Sequence, residues 1–244
     1  MIFGIRPVAE AIEAGREIER VYIRKGGEGQ LLGELRELLA RHRINTREVP
    51  VERLNRLTRG NHQGVVATIS PIGYLSLDEM LERIPADETP LLVILDGITD
   101  VRNFGAIARS AECAGAHGII TPIKNGAPVN ADAIRTSAGA LSRIGVCRTG
   151  SIRNAINTLR AAGIRIAGAT EKSEKTLFEA DMTCPVAIVM GSEEDGISKG
   201  VLKLCDERLA IPLAGKVESL NVSAAAAVML FEAVRQRQGL QVHK

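Results

Sequence analysis

Two runs, LLVILD at 91–96 and PVAIVM at 185–190, are apolar at nearly every position. A strand points successive side chains to opposite faces, so a half-exposed strand alternates apolar with polar. A run without alternation must be covered on both sides, which requires a parallel sheet sandwiched between helices. The chain around these runs keeps the matching rhythm. GIIT, IGVCR, IRIAGAT and RLAIPL read as further strands. Between them lie helical segments at about 104–115, through ADAIRTSAGALS, at about 151–162, a short one after PVAIVM, and a long one at the end. In such α/β sheets ligands bind outside the carboxyl ends of the strands. Those ends read DGITDVRN, ATEKS, GSEEDG and AGKVESLN, where polar residues and glycines concentrate.

Residues 1–70 have a different texture. A helical PVAEAIEAG, a strand RVYIR, a helical LLGELRELLARH and a strand GVVATIS closed by Pro71 predict a small α/β domain. The stretch 71–89 and its flank carry three prolines around one amphipathic turn and read as a linker. The large domain then occupies 90–244. With 45% hydrophobic and 25% charged residues the chain has the composition of a folded globular protein. A net charge of +2 means that a nucleic-acid partner must be met by a local basic patch. Aromatics make up only 2%, which argues against recognition on a platform of stacked bases. Cys113, Cys147, Cys184 and Cys205 form no CxxC pair and read as buried reduced thiols; His42, His62, His117 and His243 show no metal-ligand spacing, so no metal is expected. With no leader sequence and no apolar run of membrane length, a cytoplasmic location is expected.

Three stretches carry chemistry. GSEEDGIS at 191–198 has the glycine spacing of a phosphate-binding loop and Ser198 at its hydroxyl position, but Ile197 replaces the lysine. Glu193, Glu194 and Asp195 between the glycines would repel a triphosphate. An acid-rich helix N-terminus would look the same. In DVRNFGAIARSAE at 100–112, Asn103 is expected to cap a helix with Arg109 on its first turns. A cation there opposes the helix dipole, so Arg109 is either paired with Glu112 or Asp132 or is a ligand for an anion. In AIPLAGKVESLNVSAAAAVML a polar loop leads into a helix that opens with five small residues, Ser223 to Ala227, suited to a close neighbour or to tight packing in a dimer.

In this order and spacing, N103-FGAIAR109, IVMGSEEDGIS and IPLAGKVESLNVSAAAA resemble the three motifs of the SpoU/TrmH family of RNA ribose 2'-O-methyltransferases, of the SPOUT class. FGIRPVAEAIEAG and NHQGVVA extend the likeness to the family's small RNA-recruiting domain. The subgroup that modifies a guanosine of large-subunit ribosomal RNA is most alike. The resemblance implies S-adenosylmethionine as cofactor, a C-terminal trefoil knot, a homodimer and an RNA partner, without DNA or membrane. By carry-over Arg109 is the leading catalytic residue, with Asn103, Glu193, Ser219 and Asn221 shaping the site. Gly191, Ile211 and Leu220 would hold the cofactor through backbone groups, with Thr170 and Leu213 lining the pocket. The family usually has a small residue where Glu194 stands. RNA contact is expected from Arg53, Arg56, Arg59, His62 and Gln63, in a stretch, 53–77, without an acid. A transfer RNA ribose methyltransferase and a non-catalytic RNA-binding paralogue are the alternatives. A dinucleotide oxidoreductase is disfavoured, because no GxGxxG follows a strand.

Overall fold

The computed structural model of the chain describes residues 1–239, so His243 and the end of the expected 90–244 domain lie outside the described residues. The chain divides into two compact units, Met1–Gly73 and Tyr74–Lys244.

The first unit runs β1 (Ile2–Phe3), α1 (Ile5–Glu13), β2 (Ile18–Arg24), α2 (Gln30–Arg41), β3 (Thr46–Val49), α3 (Val51–Leu57) and β4 (Val65–Ile69). Its sheet has the order β1-β4-β2-β3, and only β2 and β3 are parallel. Helices α1 and α2 bury Val8, Ile12, Leu32, Leu35 and Leu39 against Val21, Ile23, Val65 and Ala67. On the other face Leu54 of α3 packs with Val49 and Val66. The short elements β1, β3 and α3 are not expected from the sequence. Each is too brief to show a period of its own.

The second unit contains α4 (Leu77–Glu82), β5 (Leu91–Asp96), α5 (Val101–Cys113), β6 (Gly118–Pro122), α6 (Ala131–Thr136), β7 (Gly145–Thr149), α7 (Ile152–Ala161), β8 (Arg165–Ala169), β9 (Val186–Gly191), α8 (Lys199–Leu202), β10 (Glu207–Leu209) and α9 (Val222–Arg237). Its six strands are all parallel, in the order β10-β8-β9-β5-β6-β7. Both faces are covered, as the non-alternating runs require. Leu92 and Ile94 of β5 pack with Met80, Ile156, Leu159 and Val201 on one side. Leu91, Val93 and Leu95 point the other way and are equally buried. On that side α5 packs against α6 and α9, and α9 lies on β9. Each such side chain stabilises the fold by roughly 1.5–3 kcal/mol.

Three expectations are corrected here. The stretch 71–89 is largely folded: Leu75 bridges to Cys147, a capping box between Ser76 and Glu79 starts α4, and Met80 is 1% exposed in the core. Its apolar residues are what bind it to the second unit. The helix expected through ADAIRTSAGALS stops at Thr136, because Ala138 and Gly139 take positive φ (50° and 86°), and one 3₁₀ turn, Ala140–Ser142, comes next. Of the four free cysteines only Cys147 is fully buried and Cys113 is exposed; burial pushes the Cys147 and Cys205 thiols up to about 11.

The far end of α9 is held by two neighbouring side chains, Arg237 and Gln236. Arg237 donates from Nε to Met182 O (3.0 Å), from Nη1 to Thr89 O (2.7 Å), and from Nη2 to Pro90 O (3.0 Å) and Cys184 O (2.8 Å). Next to it, Gln236 bonds Met182 N and Ala180 O. Arg237→Ala leaves four carbonyls without a donor, so a loss of about 3 kcal/mol is expected in urea unfolding. Arg237→Lys should recover less than half of it, since an ammonium cannot present four donors in this plane.

Candidate functional site at the carboxyl end of the sheet

The loop after β9 is not a phosphate cradle. Ser192 and Gly196 pair with each other as a tight hairpin (3.1 and 3.0 Å), closed inside by Asp195 N donating to Ser192 Oγ (3.0 Å). The returning strand lies directly on Gly191: a Cβ there would sit 2.1 Å from Gly196 C and 2.1 Å from Ile197 N. Gly191 is therefore required by the fold of the loop itself. Ile197 is buried, which explains an apolar residue at the lysine position. Ser198 N then donates to Asp96 Oδ2 (2.8 Å), fastening the exit of this loop to the end of the adjacent β5. Glu193, Glu194 and Asp195 form the exposed tip.

Asn221 joins three distant stretches. Its Oδ1 caps α9, accepting from Ser223 N (3.0 Å) and Ser223 Oγ (2.5 Å). Its Nδ2 donates to Asn103 Oδ1 (3.1 Å) and to Glu193 Oε1 (2.5 Å). Asn103 is free for this bond because, contrary to expectation, it does not cap α5. Asp100 does so, accepting from Arg102 N (2.9 Å) and Asn103 N (2.8 Å). Gly105 lets α5 approach α6 closely: a Cβ there would lie 2.8 Å from Thr136 Cβ and 2.9 Å from Ala133 O.

Beside this junction opens a pocket of about 420 Å³, within the size range of small-molecule sites. Thr170, Gly191, Glu193, Ile211, Leu213, Ser219, Leu220 and Asn221, all singled out from the sequence, line it. Met190, Ser192, Leu209 and Val222 also line it, and sequence reasoning misses them. Their signal is their place at strand ends or in the expected motifs. The 211–220 backbone makes no hydrogen bond among the described residues, and Leu213 and Leu220 are 41% and 40% exposed. The segment thus offers a ligand open amides, open carbonyls and apolar surface together. Glu171, Glu193, Glu194, Asp195 and Glu218 surround the opening, with Lys172 as the one cation in the lining. A pocket so charged favours a cationic ligand and repels phosphate.

Arg109 is not brought to this pocket. It lies in the third turn of α5, about 9 Å along the axis from Asn103, and is exposed. Neither acid considered as its partner is paired with it: Glu112 faces Arg143 (3.8 Å) and Asp132 is held by Arg135 (2.8 Å). In the first unit Arg53 and Arg56 lie on α3, and Arg59, His62 and Gln63 in the loop before β4. Arg53 stands over the Tyr22 ring at 5.9 Å. His62 is half-buried and braces its loop, bonding Asn55 (2.8 Å) and Gly64 N (3.0 Å). The four others are exposed.

Residues 90–231 match the SpoU rRNA methylase family, and residues 1–75 match the family described as RNA 2'-O ribose methyltransferase substrate binding. An uncharacterized tRNA/rRNA methyltransferase of Mycobacterium avium (strain 104) is 40% identical over 98% of this chain and 78% of its own. The SpoU methyltransferase AviRb of Streptomyces viridochromogenes, solved in complex with AdoMet, superposes with a TM-score of 0.62 at 31% identity, over 98% of this chain and 90% of that one. The AdoMet-bound rRNA methyltransferase of Sinorhizobium meliloti gives a TM-score of 0.62 at 26% identity, over 98% and 87% of the two chains.

Two substitutions test the local geometry. Gly191→Ala forces a methyl group into backbone and should destabilise the second unit by about 3 kcal/mol in urea unfolding, even in the absence of any ligand. Asn221→Asp preserves the cap but sets a carboxylate against Glu193. A loss of about 1 kcal/mol is expected, and Glu193→Gln in the same chain should restore most of it.

Proposed function

The chain belongs to the SpoU rRNA methylase family, the S-adenosylmethionine-dependent RNA ribose methyltransferases, and from that premise we propose that its acceptor is the 2'-hydroxyl of a guanosine in ribosomal RNA. The observation that carries the reading is the convergence of 103, 191–196 and 211–221 on one acid-rimmed pocket in a chain matched across both units. The ribosomal choice is supported by the S. meliloti neighbour, described as an rRNA methyltransferase and alike over nearly the whole chain. A transfer RNA ribose is the second reading, since the description of the M. avium relative names tRNA and rRNA alike.

The pocket fits the cofactor in charge and size. S-adenosylmethionine carries a sulfonium and an amino group but no phosphate, and when bound it supplies an activated methyl group to an attacking 2'-oxygen. What remains for the protein is alignment and help with the hydroxyl proton. In this reading the open backbone of 211–220 and Gly191 hold the adenosine part, Leu213, Leu220 and Ile211 cover it, and Thr170 closes the side. Asn221, Asn103 and Glu193 set the rim where the ribose enters, and Ser219 stands next to them. The implied trefoil knot belongs to the same proposal. It is supported by a chain that leaves the edge strand β10 and returns at Asn221 to stand between the ends of β5 and β9. Among the described residues no helix is long and apolar enough to cross a membrane.

Arg109 acts in this scheme from a second copy of the chain. Its exposure on α5, its lack of a partner among the described residues, and the exposed Phe231 (48%) on the neighbouring α9 support a homodimer in which the guanidinium grips a phosphate beside the other protomer's pocket. Lining residues of the second protomer would also cover Val217, now 76% exposed.

S-adenosylhomocysteine should raise the thermal midpoint of the protein while ATP does not; the reverse would overturn the cofactor assignment. Arg109→Ala should lower turnover by about two to three powers of ten with little change in cofactor affinity. Mixing Arg109→Ala with Asn221→Ala chains should then restore about a quarter of wild-type activity, because half of the dimers carry one intact site. No recovery would put Arg109 in the same protomer's site. Mapping of ribose methylation in ribosomal and transfer RNA from cells lacking the protein decides between the two acceptors.

A further inference from the structure

Residues 113–170 hold seven basic side chains and one acid, Asp132, in a chain of net charge +2. Arg135, on α6, is held by Asp132 (2.8 Å), and the structure sorts the other six cations by edge of the sheet. Arg143 precedes β7, Arg160 lies in the last turn of α7, and Arg165 opens β8, all at the amino edge. Each faces a carboxylate: Glu112 (3.8 Å), Asp206 (2.9 Å) and Glu207 (2.8 Å). At the carboxyl edge the pattern differs. Lys124, in the loop after β6, and Arg153, in the first turn of α7 after β7, are exposed and have no carboxylate partner among the described residues. Between them Arg148 donates to Ile123 O (3.3 Å), bracing the Lys124 loop, and stands over the Tyr74 ring at 4.7 Å.

We infer that the carboxyl end of β6 and β7, through Lys124 and Arg153 on the Arg148–Tyr74 brace, is a second RNA contact that holds phosphates of the single-stranded nucleotides flanking the target ribose. The inference rests on the methyltransferase reading. The rim where the ribose enters stands over the ends of β9 and β5, and β6 and β7 are the next two strands. They lie about 5 and about 10 Å away, a reach that neighbouring nucleotides cover. On the opposite side Glu171 follows β8 and Glu218 follows β10, and with Glu194 and Asp195 at the tip of the hairpin after β9 they repel a phosphate backbone. A strand that offers its ribose to this pocket is thus pushed from one side and drawn to the other. Contacts of this kind position the substrate without reading its sequence, which suits a surface with almost no aromatic rings.

The test uses the full chain and a fluorescein-labelled single-stranded RNA 20-mer of mixed sequence, with affinity followed by anisotropy as salt is raised. Lys124→Ala/Arg153→Ala should weaken binding about tenfold at low salt and make the plot of log affinity against log salt shallower by about 1.4, or about 0.7 per lost single-strand contact. Arg143→Ala/Arg160→Ala removes the same charge from the amino edge and should leave the slope unchanged. Equal slopes in all three proteins, or equal losses in both variants, would overturn the proposal. Thermal stabilisation by S-adenosylhomocysteine is measured alongside. An unchanged slope in protein that binds it rejects the patch alone, whereas failure of the wild type to bind it rejects the methyltransferase reading.

Discussion

The side-chain amide of Asn221 has one acceptor and two protons, and each is committed to a different part of the chain. The oxygen starts α9, and the two N–H groups reach the carboxylate of Glu193 and the amide oxygen of Asn103. Asn103 and Glu193 are separated from Asn221 by 118 and 28 positions, so no local propensity brings them together. Only a planar amide can cap with one end and donate with the other; a carboxylate lacks the donors and a hydroxyl lacks the reach. The pocket depends on this junction because the 211–220 segment has no backbone bonds of its own among the described residues and is anchored by the capped start of α9. Asp96 performs a related task on the other side of the hairpin, accepting from Ser198 N at the last position of β5. The parallel register of β5 on β9, with Asp96 opposite Gly191, puts both fastenings at one level.

Much of this is legible in the sequence, for identifiable reasons. A strand buried on both faces cannot alternate, so LLVILD and PVAIVM announce the parallel sheet, and Pro212 and the polar loop after RLAIPL announce where the chain leaves it. The pocket residues Thr170, Ile211, Leu213, Ser219 and Leu220 come from motif likeness, and each lies in the lining. The expected cap of α5 is off by three residues. Both Asp100 and Asn103 can cap, and nothing local says that Asn103 is held back for a bond made 118 residues later. The glycines of GSEEDGIS suggest a loop open to a ligand. The contact of Gly191 with its own returning strand cannot be read from spacing, because it depends on the hairpin closing over it. The motif around Arg109 suggests a place near the ligand, while the geometry of the chain sets it on an outer face.

Charge is distributed against the average. A net charge of +2 conceals an acid-rimmed pocket and a segment, 113–170, that is almost free of acids. Opposite fields within one sheet edge are costly to the fold only where like charges are close and dry; here the carboxylates of the hairpin tip are exposed and solvent weakens their repulsion. The same exposure leaves them available to a cationic ligand. In the first unit the basic side chains around α3 are similarly wet, and His62 alone among them is tied into its loop by two hydrogen bonds.

The clasp at the other end of α9 has a different character from the Asn221 junction. Arg237 addresses only main-chain oxygens, those of Thr89, Pro90, Met182 and Cys184. Every residue type carries that oxygen, so the four acceptor positions can change identity without losing the bond, provided the backbone path is kept. All of the chemical information in the clasp therefore sits in one codon. A side-chain replacement at any of the four acceptor positions leaves the clasp its oxygen, whereas replacement of Arg237 removes every donor, so the segments entering β5 and β9 hold the far end of the helix without requiring particular side chains.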